Sequence, residues 1–317
     1  MPLSLGQQLE VVATAENFDA DFYLAANPDV AAAIQNGSVA SAQEHFTRFG
    51  RGEGRRLRST APIPIMRARK MQKLRPKLRS DLPCELVDGR PSFLSEGLRA
   101  ETGISDTDRV SANSYDADVM TLVERYRDGL IVDVGAGKRD IYYENVVNYE
   151  IVNYDTTDVL GVGEELPFLD NSFDAVISVA VLEHVRDPFR CARELIRVLK
   201  PGGQLFCCVP FLQPLHGYPH HYYNMTHQGL RALFERDLRI DRHFTPDSVL
   251  PIWSLTWILR SWAEGLSEHS RAEFMNMRIA DLIDQPSRYI DMAFVRDLSD
   301  AKNFELASAT VIVATKQ

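Results

Sequence analysis

No apolar run in this chain reaches the roughly 20 residues needed to cross a bilayer; the longest, VLPIWSLTWIL at 249–259, is well short of it. Residues 1–15 lack a basic start and an apolar stretch, so no export leader is expected. Cysteine is scarce. Cys84, Cys191, Cys207 and Cys208 show no metal or redox spacing, and adjacent Cys207 and Cys208 face opposite sides of any strand that holds them. Reduced thiols fit this pattern, and with them a cytoplasmic location. Lys and Arg are absent from residues 1–47, which carry six acids, and no Lys, Arg, Asp or Glu occurs from Pro201 to Leu230.

The missing cations are concentrated elsewhere. Arg48 to Arg79 holds twelve Lys/Arg against one acid, Glu53; the chain's net charge is −9, so the remainder carries −20. Two readings suit residues 51–80. One is contact with an anionic surface, which would place the protein at the inner face of the membrane. The other is a solvated linker, or a basic helix laid on the acidic remainder. Aromatics are absent from 51–80, which argues against stacking on single-stranded nucleic acid. No specific nucleic-acid partner is expected.

At 317 residues, 45% hydrophobic and 25% charged, the chain can bury a sizeable core. Three segments are expected: a helical interaction module at 1–50, a basic linker at 51–80, and an α/β domain at 81–317. Within the first, Asn27 and Pro28 suit a helix start, and Ser41 with Glu44 has capping-box spacing before a stop at Gly50. Ala42, Phe46 and Phe49 fall on one face. In the last, LIVDV (130–134), VVNYEI (146–151), DVLGV (158–162), FDAVISVAV (173–181) and QLFCCVPF (204–211) read as strands, with ATVIVATK (309–316) closing the chain. RDPFRCARELIRVLK (186–200) reads as a helix, capped by Asp187, with Phe189, Ala192, Ile196 and Leu199 as its buried stripe. THQGLRALFERD (226–237) reads as another. Alternation of this kind predicts a doubly wound parallel sheet.

IVDVGAGKRD, residues 131–140, carries the ligand argument. A strand running into Gly135 and Gly137 brings bare backbone to the carboxyl edge of a sheet. Dinucleotide enzymes use such a turn for pyrophosphate, with G-x-G-x-x-G and a helix N-terminus. Here the sixth position is Asp140, a negative charge beside a would-be pyrophosphate, and Asp133 lies outside that fingerprint. A nicotinamide-dependent oxidoreductase is therefore disfavoured. S-adenosylmethionine, with a sulfonium and no phosphate, meets no such objection. Glu150 ends the second strand, where an acid can accept both ribose hydroxyls. It follows Asp133 so closely that the intervening helix must be very short.

The run IVDVGAGKRD…VVNYEI…GVGEELPFLDNSFDAVISVAVLEHVRDPF…RVLKPGGQLFCCVPF resembles class I S-adenosylmethionine-dependent methyltransferases of the type 11 kind, over about residues 84–236. EELPF.DNSFD, LEHV.DP and RVLKPGG occur together and in order. The resemblance implies a Rossmann-like sheet, mostly parallel with the last strand antiparallel. It also implies S-adenosyl-L-methionine as cofactor. Asp133, Gly135 and Gly137 would form the cofactor loop and Glu150 would bind ribose. Gly163 and Glu164 would lie by adenine, with Ser178 and Val179 by the methionyl part. Two positions depart from the pattern: Val162 stands for an acid that accepts the adenine amino group, and Arg139 for a frequent third glycine. Separately, FDADFYLAANPDVAAA…AQEHFTRFGRGEGR, at about 18–56, resembles a bacterial helical module that recurs beside glycosyltransferases and cell-surface proteins.

The charge-free segment after strand five holds His216, His220, His221 and His227, with Tyr218, Tyr222 and Tyr223. Imidazole is the natural base near neutral pH, so His216, His220 and His221 are candidate catalytic groups against the acceptor. Tyr222, Tyr223 and Trp253 are candidate acceptor contacts. Packing of the same side chains in a loop is the plain alternative. No metal is expected: no carboxylate or cysteine lies near HGYPHH in sequence, and Pro219 breaks helical spacing. Glu183 and His184 of LEHV are expected to brace a strand-to-helix turn. Residues 248–305 read as a helical insertion, with Ile252, Leu255, Ile258, Leu259 and Trp262 on one side. It could be a lid, a helix packed on the sheet, or a dimer face. The expected function is methyl transfer to a small-molecule or glycan acceptor, specifically a cell-envelope glycan or its lipid-linked precursor. The alternative is a non-catalytic scaffold with a degenerate methyltransferase fold.

Overall fold

In the computed structural model, which describes residues 5–104, 114–217, 219–283 and 285–307, the run IVDV is a strand with all four side chains buried. That is expected of a central parallel strand covered on both faces. The strands in chain order are β1 Gly6–Gln8, β2 Glu10–Val12, β3 Arg56–Arg58, β4 Glu85–Val87, β5 Arg90–Ser92, β6 Ile131–Val134, β7 Ile141–Tyr143, β8 Val146–Glu150, β9 Val159–Leu160, β10 Phe173–Val179 and β11 Leu199–Cys208. Seven of them form one sheet in the order β11-β10-β6-β8-β9-β5-β4. Every neighbouring pair is parallel except β4 with β5. The fold is a doubly wound, Rossmann-like sheet. Its antiparallel strand is β4, contributed from early in the chain; the expected closing strand at 309–316 lies outside the described residues.

The chain divides into two compact units. One comprises 1–181 and 186–208; the other comprises 182–185 and 209–317. In the first, helix Ala117–Arg125 starts at Asp116, whose carboxylate accepts the Val119 N–H at 2.9 Å. Its Val119, Leu122 and Val123 pack with Ile131, Val146, Ala175 and Ile177 of the sheet. Helix Pro188–Val198 is capped by Asp187, which accepts the Arg190 N–H at 2.8 Å. Its buried stripe is Cys191, Ala192, Leu195 and Val198, while Phe189 is 62% exposed. Both this stripe and the expected one satisfy helical spacing, and the small thiol rather than the phenyl ring faces the sheet.

Between β6 and β8 there is no helix. The connection is β7, which pairs antiparallel with β1, Gly6 opposite Tyr143. Leu9 is buried with Ile63 and Tyr142. The amino-terminal segment is thus built into this unit. Its helices Ala20–Ala26, Pro28–Gln35 and Ala42–His45 surround a cluster of Tyr23, Val30, Ala42, Phe46 and Leu57. Asn27 precedes Pro28 as expected, but its amide donates to the Tyr23 and Arg56 carbonyls instead of capping the helix. Ser41 does cap, accepting the Glu44 N–H at 3.1 Å. The chain then widens into a π turn over Phe46–Gly50, which leaves Phe49 exposed rather than on the expected face. Gly50 leaves room for the Tyr23 hydroxyl, which would meet a Cβ there at 2.0 Å.

The basic stretch is not a free linker. It forms β3 and helix Ile63–Leu74. Arg58 pairs with Asp155 and Glu10. Arg67 and Lys70 both reach Asp158, Lys70 at 2.6 Å with no side-chain exposure on either partner. These three cations are neutralised inside the unit, which is the basic-helix-on-acid reading.

The second unit is helical: His227–Phe234, Pro251–Glu264, Glu268–Met275, Ile279–Leu282, Ala293–Arg296 and Asp300–Leu306. Its core is Ala263, Leu266, Phe274, Phe294 and Leu298. Helix 251–264 turns Ser261 and Ala263 inward, while Ile252 and Leu255 of the expected stripe are exposed.

Candidate functional site

At β6 the strand order reverses: β8 and β9 lie to one side, β10 and β11 to the other. Ligands of open α/β sheets bind at such a switch point, beyond the carboxyl ends of the strands. Here that edge carries the GAG turn. Gly135 has φ 76° and Gly137 φ 64°, left-handed values that suit glycine. A Cβ on Gly135 would also lie 2.3 Å from Val181 Cγ2. Gly135→Ala therefore combines a backbone penalty of about 1–2 kcal/mol with a clash against a stiff β-branched side chain. A lowered urea midpoint and cofactor binding weakened at least about tenfold are expected, read by denaturation and calorimetry.

Glu150 is buried at the end of β8. It accepts the Gly137 N–H at 2.7 Å and its neighbour Ile151 N–H at 2.6 Å. Burial pushes its carboxyl pKa up, against the pull of those amides. Two carboxylate oxygens offer about four acceptor sites, so a diol can still be accepted. Asp133 is buried in β6. Tyr115 Oη donates to its Oδ2 at 2.5 Å, and Arg139 donates to the same oxygen. Its Oδ1 has no hydrogen-bond partner among the described residues. The Arg139 guanidinium also sits over the Tyr115 ring, 4.2 Å from the centroid. Arg139 thus closes a buried clamp on Asp133, a role that the departure from glycine gave no sign of. Burial and Asp133 together push the Tyr115 phenol well up.

Ser178 is fully buried at the end of β10, and its hydroxyl has no partner among the described residues. Val179 beside it is half-buried. Gly163 and Glu164 are buried, and Glu164 accepts the Arg186 N–H at 2.9 Å. Glu164 therefore braces the approach to helix 188–198. Val162 packs with Leu94, Leu98 and Leu160, so its side chain serves the core. The donor set fits S-adenosylmethionine: a buried carboxylate for a diol, a spare anionic oxygen suited to a cation, an orphaned hydroxyl, and bare peptide at two left-handed glycines.

Of the expected acceptor-side residues, the second unit joins His216 and His221, their rings 4.2 Å apart. His220 turns its ring to Tyr222 at 5.3 Å. Its carbonyl accepts from His184 Nδ1 at 2.7 Å. His221 Nδ1 accepts the His216 N–H at 3.0 Å, and Asn224 Oδ1 lies 3.0 Å from its Nε2. Both nitrogens of His221 are engaged, and burial lowers its pKa. Tyr222, Tyr223 and Trp253 are exposed, and the Trp253 indole donates to Asp247 O at 2.8 Å. Trp257 instead lies against His216, at 5.1 Å between rings. Tyr218 lies outside the described residues. Two residues outside the expected set join this cluster, Glu183 and His184. Their signal in the sequence is the LEHV motif itself.

A reversal of strand order, a left-handed glycine turn and an acid ending the adjacent strand define a doubly wound cofactor-binding domain. Residues 132–207 match the family described as a methyltransferase domain. The demethylmenaquinone methyltransferase of Listeria monocytogenes serotype 4a (strain HCC23) is 34% identical over 112 residues, 35% of this chain and 46% of that protein. That of Listeria welshimeri is 41% identical over 71 residues, 22% of this chain and 27% of that protein. An uncharacterized methyltransferase of Mycobacterium sp. (strain JLS) is 41% identical over 73 residues, 22% and 28% of the two chains. The chain spans less than half the length of these curated relatives. Among solved structures, a SAM-dependent methyltransferase of Thermotoga maritima, described as a possible histamine N-methyltransferase, is 25% identical. It covers 34% of this chain and 62% of that one, with a TM-score of 0.29. Residues 132–207 are thus similar to a methyltransferase domain, and they lie within the doubly wound sheet described above.

Proposed function

We propose that this protein transfers a methyl group from S-adenosylmethionine to an oxygen-bearing small-molecule acceptor. The observation that carries the reading is Glu150, a buried carboxylate at the end of β8, bonded to the left-handed Gly137 of the turn after β6. Glu150 would hold the ribose hydroxyls, with Gly163 and Glu164 near adenine. The backbone at Gly135 and Gly137 would receive the methionyl part, with Asp133 Oδ1, Ser178 and Val179 around it. The cofactor supplies an electrophilic methyl whose transfer leaves a neutral thioether. The protein therefore has no leaving anion to stabilise, and positioning is its main contribution. Asp133 is held in one orientation by Tyr115 and Arg139, and that rigidity is what positioning requires. Calorimetric titration with S-adenosylmethionine and S-adenosylhomocysteine tests the reading; no heat with either would favour the non-catalytic scaffold.

The acceptor is proposed to meet His216, His220 and His221, with Tyr222, Tyr223 and Trp253 as apolar contacts. His220→Ala combined with His221→Ala should lower kcat by roughly 10–100-fold while cofactor affinity stays within about twofold. Unchanged turnover would move the acceptor elsewhere. A cell-envelope glycan or its lipid-linked precursor is the proposed acceptor class, favoured by the resemblance of residues 18–56 to a module found beside glycosyltransferases. A quinone-type ring, methylated at carbon, is the second reading, favoured by the similarity to the Listeria demethylmenaquinone methyltransferases. Mass spectrometry of envelope glycans with and without the protein separates the two.

A further inference from the structure

We infer that Glu183, His184 and His216 form a binding site for one divalent transition-metal ion in the second unit. One nitrogen or oxygen from each of the three lies within 4.8 Å of the others. Glu183 comes from the LEHV turn and His216 from the loop after β11, so the carboxylate missing near HGYPHH is supplied from far upstream. Its side chain is fully buried, and neither oxygen has a hydrogen-bond partner among the described residues. A buried, unpartnered carboxylate is costly, so such a group calls for an explanation.

The two imidazoles are oriented for ligation. His184 Nδ1 faces the His220 carbonyl at 2.7 Å, and His216 Nδ1 faces the Pro214 carbonyl at 2.8 Å. A carbonyl oxygen only accepts, so each Nδ1 carries a proton, and Nε2 is the nitrogen that a neutral ring would offer to an ion. This is the outer-shell arrangement that fixes the tautomer of metal-bound histidine. His184 Nε2 lies 3.7 Å from Glu183 Oε1. Ligand bonds of about 2.0–2.1 Å would place such atoms roughly 3.3 Å apart around a tetrahedral ion, so closure asks for shifts on the order of an ångström. Gly217 makes room for the His184 ring: a Cβ there would lie 2.1 Å from His184 Cε1. Two histidines and one carboxylate suit Zn²⁺, Fe²⁺, Co²⁺ or Mn²⁺ and leave coordination positions open. His221 is no ligand; it fixes the His216 backbone.

An ion bound here makes His216 Nε2 a ligand rather than a proton acceptor. An acceptor hydroxyl would then be acidified by the ion. That consequence rests on the methyl-transfer reading, whereas ion binding itself does not, and the test uses no S-adenosylmethionine. The full-length protein, stripped with chelator, is titrated with Co²⁺ and followed by visible absorption, then challenged with Zn²⁺. One Co²⁺ per chain is expected, displaced by Zn²⁺. Glu183→Gln and His216→Ala should each weaken Co²⁺ at least about tenfold. His269→Ala, an exposed position of helix 268–275, should not. Glu183→Gln is also expected to leave the stripped protein at least as heat-stable as the parent, since it removes a buried carboxyl without deleting volume. If it fails to fold, the half-buried His216→Ala carries the test. Absence of a stoichiometric Co²⁺ spectrum, or affinity untouched by both variants, overturns the inference.

Discussion

Asp158→Ala is expected to lower the unfolding free energy by about 3–5 kcal/mol, because it strands a buried cation. Lys70 is fully buried, with its ammonium 2.6 Å from Asp158 and 3.8 Å from the centroid of the Tyr142 ring. Asp158 also receives the Tyr142 hydroxyl, Arg67 Nε at 3.2 Å and the Asn148 N–H at 2.9 Å. Four donors converge on one carboxylate, joining the basic helix 63–74, β7 and β8. Lys70→Met should be milder, since Asp158 keeps its other three donors and the new side chain fills the same space. Urea denaturation of the two variants checks the asymmetry. Equal losses would mean that the network is not organised around Asp158.

Glu150→Ala is expected to weaken S-adenosylmethionine binding roughly 100-fold, the equivalent of about 3 kcal/mol, through loss of charge-assisted bonds to the ribose. The same change orphans the Gly137 and Ile151 amides, so part of the loss reflects a loosened turn. Glu150→Gln separates the two effects. It retains one acceptor oxygen and should recover part of the affinity, while the Ala variant does not. Calorimetry with S-adenosylmethionine and S-adenosylhomocysteine measures both. Parent-like affinity in Glu150→Ala would place the ribose elsewhere.

The sheet was largely legible in the sequence because its central strands are short apolar runs bounded by glycine and charge. IVDV, VVNYE and FDAVISV all form where their composition predicts. Helix 188–198 was legible at its start, through Asp187 and Pro188, but its phase was not. Phe189 and Cys191 sit on faces that periodicity alone cannot rank, and tertiary packing chose the cysteine. Contacts between distant segments left no local trace. Neither the Tyr115–Asp133–Arg139 clamp nor the addition of Glu183 to the histidines follows from spacing. The basic run shows the same limit: its composition suits a solvated face, and only the fold supplies Asp155 and Asp158 as its partners.

The missing helix between β6 and β8 has an electrostatic consequence. In a nucleotide-phosphate site, the first helix aims the positive end of its dipole at the ligand. Here the chain after Gly137 continues into β7, covered by β1, and no such end is presented. The charges at the turn are instead Glu150 and an Asp133 paired with buried Arg139. A phosphate would thus find no helix end to neutralise it at this turn, whereas a ligand bearing a positive sulfur needs none.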